Sequence, residues 1–305
     1  MHVFMKTSFI FKYIEVIPND AALGAEVQCG DVRKINEKNA DEIRAAWHQN
    51  LVLFIRGQQL TDPELVCFGQ HFGQLLLGTK RAVGMKPRNE HVPQINVISN
   101  VIENGIKIGN LGDGEAIWHT DRSHQISPLS ASILYALEVP PSGGDTSWGN
   151  MYMAFDALSD EMKKKIAGLT INHDASLDSG GNLRSDFVGT GANHPIVRTH
   201  PDTGCSALYL GRRRNGRVNG MTSSESESLL DYLWEHASQP QFVWSHQWRV
   251  GDILIWDNRC TIHHRQAFDP STRRIMHRLQ VAGTQPFMAP DALARGAHPR
   301  GLYAT

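Results

Sequence analysis

Short apolar runs scattered at wide separations restrict the fold of this chain more than any other feature. Leu51-Val52-Leu53-Phe54-Ile55, Ser132-Ile133-Leu134-Tyr135-Ala136-Leu137, Ala207-Leu208-Tyr209-Leu210 and Ile253-Leu254-Ile255-Trp256 all have strand length. Each adjoins glycine or another turn former. A regular alternation with helices would indicate a parallel sheet built from βαβ units. The irregular, distant spacing favours an antiparallel barrel or sandwich instead. At 305 residues the chain can bury a substantial core, as one large domain or two smaller ones.

Helix starts are legible from capping pairs. Asn39 with Glu42, Thr61 with Glu64 around Pro63, and Thr222 with Glu225 all have the required three-residue spacing. The first is followed by Ile43, Ala46 and Trp47, and the last by Leu229, Leu230, Leu233, Trp234 and Ala237. These stripes read as core contacts and not as ligand sites. Segment 172–194, rich in Gly, Asn, Asp and Ser, reads as a long surface excursion and a mobile lid. No internal repeat, low-complexity tract or interdomain linker is evident.

A formal charge of -1 and a pI near 6.9 argue against a surface built for polyanions. The Arg212-Arg213-Arg214 cluster with Arg217 reads as a solvated turn. Cys29, Cys67, Cys205 and Cys260 form no CxxC pair, so neither a zinc knuckle nor a disulfide framework is expected. The N-terminal apolar stretch is interrupted by Lys6 and Lys12 and lacks a signal-peptide pattern, and no apolar run is long enough to span a bilayer. A cytoplasmic setting with no membrane and no nucleic-acid partner is the expectation.

A split set of polar residues carries the chemistry. His119-Thr120-Asp121 lies mid-chain, and Asn258-Arg259-Cys260-Thr261-Ile262-His263 lies near the end, followed by Arg274 and Arg278. Two imidazoles and a carboxylate form a three-ligand face for a divalent first-row metal, with positions left open. On a strand, His119 and Asp121 would share one facing and Trp118 and Thr120 the other. Fifteen histidines make a chance His-x-Asp expected, and His200-Pro201-Asp202 is such a copy, read as turn chemistry closed by Gly204.

Trp118-His119-Thr120-Asp121, Gly143-Gly144-Asp145-Thr146 and the block WDNRCTIHHRQAFDPSTRRIMHRLQVAG at 256–283 occur in a fixed order. In these blocks the chain resembles the iron(II)- and 2-oxoglutarate-dependent dioxygenases that include taurine dioxygenase and the 2,4-dichlorophenoxyacetate dioxygenases. HQWRVGDILIWDNRCTIH especially resembles the phenoxyacetate-type branch. The resemblance implies a mainly β fold with flanking helices around a double-stranded β-helix (jelly-roll) core. Residues 1–305 would form a single domain, with helical flanks and active-site loops inserted around that core.

It also implies roles. His119, Asp121 and His263 would bind Fe(II). Thr146 and Arg274 would hold the distal carboxylate of 2-oxoglutarate, and Arg278 would approach the substrate. With O2, a small organic anion would be hydroxylated, releasing succinate and CO2. Arginine forks and a threonine hydroxyl suit carboxylates, and Arg274 and Arg278 share a facing in an extended segment. His264 should face away from His263, and His277 away from both arginines. Asp257 and Asn258 could organise the turn or the surroundings of the metal, and Asp145 the turn after Gly144.

Leu75-Leu76-Leu77-Gly78-Thr79-Lys80 replaces a histidine-bearing segment of the taurine enzyme, and Glu115 replaces an asparagine. These departures favour an aryloxyalkanoate such as a phenoxyacetate over taurine. The alternatives are a sulfonate dioxygenase, a zinc hydrolase, and a non-catalytic small-acid binding protein on the same barrel. A homo-oligomer is expected.

Overall fold

The computed structural model describes residues 11–78, 91–112, 116–174, 176, 191–214 and 216–294. Strands β1 (Glu15–Pro18), β2 (Ala25–Gln28), β3 (Val52–Ile55), β4 (Asn96–Ser99), β5 (Asn110–Leu111) and β6 (Ala116–His119) come from the first part of the chain. Strands β7 (Ala131–Glu138), β8 (Thr146–Asn150), β9 (Val243–His246), β10 (Ile253–Asp257), β11 (Thr261–Arg265) and β12 (Ile275–Val281) come from the rest. They build an eight-stranded sheet, ordered β1-β2-β3-β10-β7-β12-β4-β5, and a four-stranded sheet, ordered β9-β8-β11-β6. Pairing is antiparallel except for β2 with β3 and β4 with β5. Late strands thus sit between early ones, as expected of distant runs that pair without βαβ units.

Alternation gives the large sheet two apolar faces. Ile133, Tyr135, Ile253, Ile255, Leu279 and Val281 cluster with Ile43 and Trp47 of α1 (Glu37–Asn50) and Leu65 and Phe68 of α2 (Asp62–Gln70). On the opposite face Leu134, Ala136, Leu254, Trp256 and Met276 join Trp148 of the small sheet. Trp148 and Trp256 meet at 5.7 Å between ring centroids, which ties the two sheets together. Each fully buried Leu, Ile or Val contributes about 1.5–3 kcal/mol relative to exposure. The outer side of the small sheet is covered near the end of the helix Ser223–Ala237. There Gly149 lets β8 approach closely, since a Cβ would stand 2.9 Å from Ile262 Cγ1.

The caps mostly follow their sequence signatures. Glu64 accepts from both the amide and hydroxyl of Thr61, and Glu225 accepts from both groups of Thr222. The pair Asn39–Glu42 is corrected: Asn36 caps α1, and Asn39 is its reciprocal partner one turn in. Glu42 instead accepts from the Lys12 and Tyr13 amides. Leu51 is not the first residue of a strand but the left-handed residue ending α1, at φ 66°, with its amide on Trp47 O. Its buried side chain offsets a backbone cost of about 1–2 kcal/mol. The excursion 172–194 begins and ends in paired strands, Thr170–His173 with Ala192–Pro195. Residues 175 and 177–190 lie outside the described residues. Among the described residues no helix is long and apolar enough to cross a membrane.

Candidate metal centre

Strand β6 lies beside β11 with His119 and His263 as direct partners, so their rings approach to 4.2 Å between centroids. The expectation that Asp121 continues the strand is not met. β6 ends at His119, the Thr120 amide bonds to Gly211 O, and Asp121 opens a turn. The turn nevertheless brings Asp121 Oδ1 to 3.7 Å from His119 Nε2. Ligand atoms of His119, Asp121 and His263 all lie within 4.8 Å of one another, and all three residues are buried. His119 Nδ1 lies 2.7 Å from Ile117 O. A carbonyl only accepts, so Nδ1 carries the proton and Nε2 presents its lone pair.

The charge states suit the same role. Burial, and then the Arg212 cation, lower the His119 pKa. Burial and the adjacent His119 hold His263 well below the ordinary imidazole range. Burial alone would raise the Asp121 carboxyl, but Arg278, with Nη1 at 3.4 Å, and the imidazoles hold it well below the usual carboxylate value. Two neutral imidazoles and one carboxylate are the donor set of a non-haem Fe(II) facial site.

Asp121 is also oriented from behind. The Trp256 indole, a donor only, bonds to Asn258 Oδ1 at 3.0 Å, which fixes the amide. Asn258 Nδ2 then donates to Ser132 Oγ at 3.0 Å, leaving the Ser132 hydroxyl to donate to Asp121 Oδ2 at 2.7 Å. Oδ2 is thereby engaged, and Oδ1 is the oxygen on the imidazole side. Asn258 was legible as a candidate for this role from its place before His263. Ser132 was not, because only the β7–β10 pairing of Ser132 with Trp256 brings it there.

Thr146 and Arg274 converge on a third residue, Trp248. Its indole donates to Thr146 Oγ1 at 3.0 Å, and the Arg274 guanidinium lies 5.9 Å from its ring centroid. Arg274 is 2 % exposed, and its Nε and Nη2 have no partner among the described residues. Burial, with the Arg265 cation nearby, pulls its pKa down to about 9. A buried guanidinium fork with no acid in ion-pair contact among the described residues, sharing an indole with a hydroxyl, fits a carboxylate ligand. Arg265 pairs with Thr146 across β8 and β11 and shares the facing of His263; the period of two after His263 was the available signal.

Arg278 reaches Asp121 and keeps a buried Nε without a partner among the described residues. Sequence reasoning passed over Arg122. It stands at φ 50°, a left-handed conformation that is uncommon for such a side chain. Its Nη2 donates to Gln280 Oε1 at 2.6 Å.

The remaining expectations divide. His264 packs on Trp118 and His277 bonds to Asp62 of α2, so both turn away from the site. Asp145 O accepts the Gln266 amide and steadies its turn. Leu75 packs in the helix-side cluster rather than at the site, while Thr79, Lys80 and Glu115 lie outside the described residues. Arg213 is not simply solvated but pairs with Glu227 and Asp231.

His200 does organise a turn, its Nδ1 accepting the Asp202 and Thr203 amides, but it is buried and its Nε2 lies 3.0 Å from Asp257 Oδ2. It forms a second candidate cluster with Asp257 and Cys260. Those donors are already engaged. His200 Nε2 bears the proton, Arg259 forks onto both oxygens of Asp257, and burial and Asp257 push the Cys260 thiol up.

Residues 15–280 match the family described as taurine catabolism dioxygenase TauD, TfdA family. Pentalenolactone F synthase of Streptomyces arenae is 32 % identical over 287 residues, covering 87 % of this chain and 94 % of that protein. The alpha-ketoglutarate-dependent 2,4-dichlorophenoxyacetate dioxygenase of Cupriavidus pinatubonensis is 34 % identical over 277 residues, covering 86 % and 95 %. The crystal structure of AAD-2 with Mn(II) and N-oxalylglycine superposes with a TM-score of 0.74 at 31 % identity, covering 90 % of this chain and 98 % of that one.

Proposed function

The chain belongs to the TauD, TfdA family of dioxygenases, and from that premise we propose that it hydroxylates a small organic acid with an apolar body, an aryloxyalkanoate type. It is an Fe(II)- and 2-oxoglutarate-dependent dioxygenase with a facial triad of two histidines and one carboxylate. The observation that carries the reading is the convergence of buried His119, Asp121 and His263 with one carboxylate oxygen kept on the imidazole side. The mixed sheets and helices are consistent with the architecture shared by these relatives. We read the two sheets as the halves of a jelly roll within one domain spanning residues 1–305.

In this reading His119, Asp121 and His263 hold the metal, and Arg274 with Thr146 takes the distal carboxylate of 2-oxoglutarate. The orphaned fork of Arg274 supports that placement. Bound there, Fe(II) with 2-oxoglutarate supplies reduction of O2, yielding succinate and CO2 and one oxygen atom for a substrate C–H bond. Everything else falls to the protein. Trp248 orients both cosubstrate-binding side chains, and the buried face excludes water. Arg278 has a donor left for the substrate acid and so sets which carbon faces the metal. The relatives that act on 2,4-dichlorophenoxyacetate support an aryl ether body.

The test is anaerobic addition of Fe(II) and 2-oxoglutarate, which should give a visible charge-transfer band, followed by O2 uptake with phenoxyacetates, alkyl sulfonates and aliphatic acids. Uptake coupled to sulfonate oxidation alone would sink the aryloxyalkanoate proposal.

A further inference from the structure

Resting on the reading that an organic acid binds beside Arg278, we propose that Arg122 is a second, specificity-determining cation for that acid. Arg122 and Arg278 form a clamp favouring a head with two negative charges, a phosphonate or a geminal dicarboxylate, over a simple carboxylate.

Three observations carry this. The first is position. On β12, Arg278 pairs with Leu134 and Gln280 with Ser132, so Arg278 and Gln280 are alternate residues on one face. Arg278 Nη1 and Ser132 Oγ touch the two oxygens of Asp121, which identifies that face as the metal side. The Arg122 guanidinium is tied to Gln280 Oε1 at 2.6 Å, and Gln280 stands one strand repeat from Arg278 along β12. That backbone repeat is about 7 Å, so both cations are anchored at neighbouring positions on one face.

The second is the nature of the tether. Gln280 is 1 % exposed and uncharged. It orients the guanidinium without neutralising it. Several other arginines are held by acids: Arg259 by Asp257, Arg213 by Asp231, Arg273 by Glu138. Among the described residues no acid lies in ion-pair contact with Arg122. Its remaining donors and its charge are available to a ligand.

The third is the charge balance. The Asp121 carboxylate acts on both Arg122 and Arg278, and that charge is required by the metal. Two cations then face the substrate. The backbone agrees. Arg122 holds φ 50° directly after a metal-face residue, and its side chain is tied to Gln280.

The experiment uses the full chain with Fe(II) and 2-oxoglutarate under anaerobic conditions. It reads perturbation of the visible band on titration with phenoxyacetate, phenoxymethylphosphonate and phenoxymalonate at pH 8. The wild type should bind at least one dianionic head about tenfold more tightly than phenoxyacetate, as one added charge-assisted contact allows. Arg122→Gln should erase that difference while the 2-oxoglutarate affinity stays within about twofold, and Arg122→Lys should restore part of it. Whichever dianion shows the preference identifies the head. Equal weakening of all three probes in Arg122→Gln, no weakening, or no dianion preference in the wild type would overturn the clamp. A wild type without the band would overturn the dioxygenase reading itself, which is a separate result.

Discussion

Ser132 Oγ donates to Asp121 Oδ2 at 2.7 Å, and the direction of that bond is imposed by an indole two residues further along the relay. Ser132→Ala removes the donor and lets the carboxylate rotate. Metal affinity should fall about 10–100-fold, as for other partners of metal ligands. Ser132→Thr should recover much of it. Anaerobic Mn(II) titration, read without turnover, would contradict the role if Ser132→Ala bound as tightly as the wild type.

Arg274→Met should raise the 2-oxoglutarate dissociation constant well over tenfold, since a charged bidentate contact is lost. Thr146→Val should have the smaller effect, because one hydroxyl contact is already made to Trp248. Metal affinity should be unchanged in both. Calorimetric titration of 2-oxoglutarate separates this from a general disturbance of the site.

One metal should bind per chain, despite the second His, Asp and Cys cluster. Metal analysis after gel filtration should show loss of that metal in His263→Ala and its retention in His200→Ala. A second equivalent removed by the His200 substitution would show that the Arg259 fork does not keep Asp257 occupied.

Asp257→Asn leaves Arg259 buried with only Asp202 as its acid. Breaking one partner of such a pair costs about 3–5 kcal/mol. Denaturant unfolding should show a loss of that order, and a change below about 1 kcal/mol would mean the network relaxes around the amide.

His173 is buried, with neither ring nitrogen hydrogen-bonded among the described residues; burial and His194 and His124 lower its pKa to about 3. The unfolded chain, near 6.5, therefore takes up the proton first. Stability is retained above pH 6.5 and lost as pH falls toward 3, by up to about 1.4 kcal/mol per pH unit from this group. The urea midpoint of His173→Gln should depend less steeply on pH between 6.5 and 4.5 than that of the wild type. Identical slopes would exclude His173 as a source.

Caps and alternation were readable because they are local. Thr222 meets Glu225 within one turn, and Ile253 to Trp256 alternate between two buried faces. The misplaced start of α1 has a local cause too: Asn36 and Asn39 both suit a cap, and the structure uses one as cap and the other as its reciprocal partner. His119 and His263 could be nominated by residue type, and their direct pairing follows from the β6–β11 register. Ser132, Gln280 and Trp248 could not, since each acts through a strand or loop distant in sequence. Leu75 shows the reverse error: its apolar segment suggests an apolar substrate, yet Leu75 packs on the helix side of the sheet.

The cross-strand pairing of His119 with His263 also sets a schedule for assembly. A nascent chain that has delivered β6 and Asp121 presents only a two-donor fragment, with too few ligands to hold iron firmly. The third donor is synthesised late and reaches its partner only after β11 inserts between β8 and β6. Iron loading is thus expected to be a post-translational event, with metal acquisition reporting on completion of the native topology.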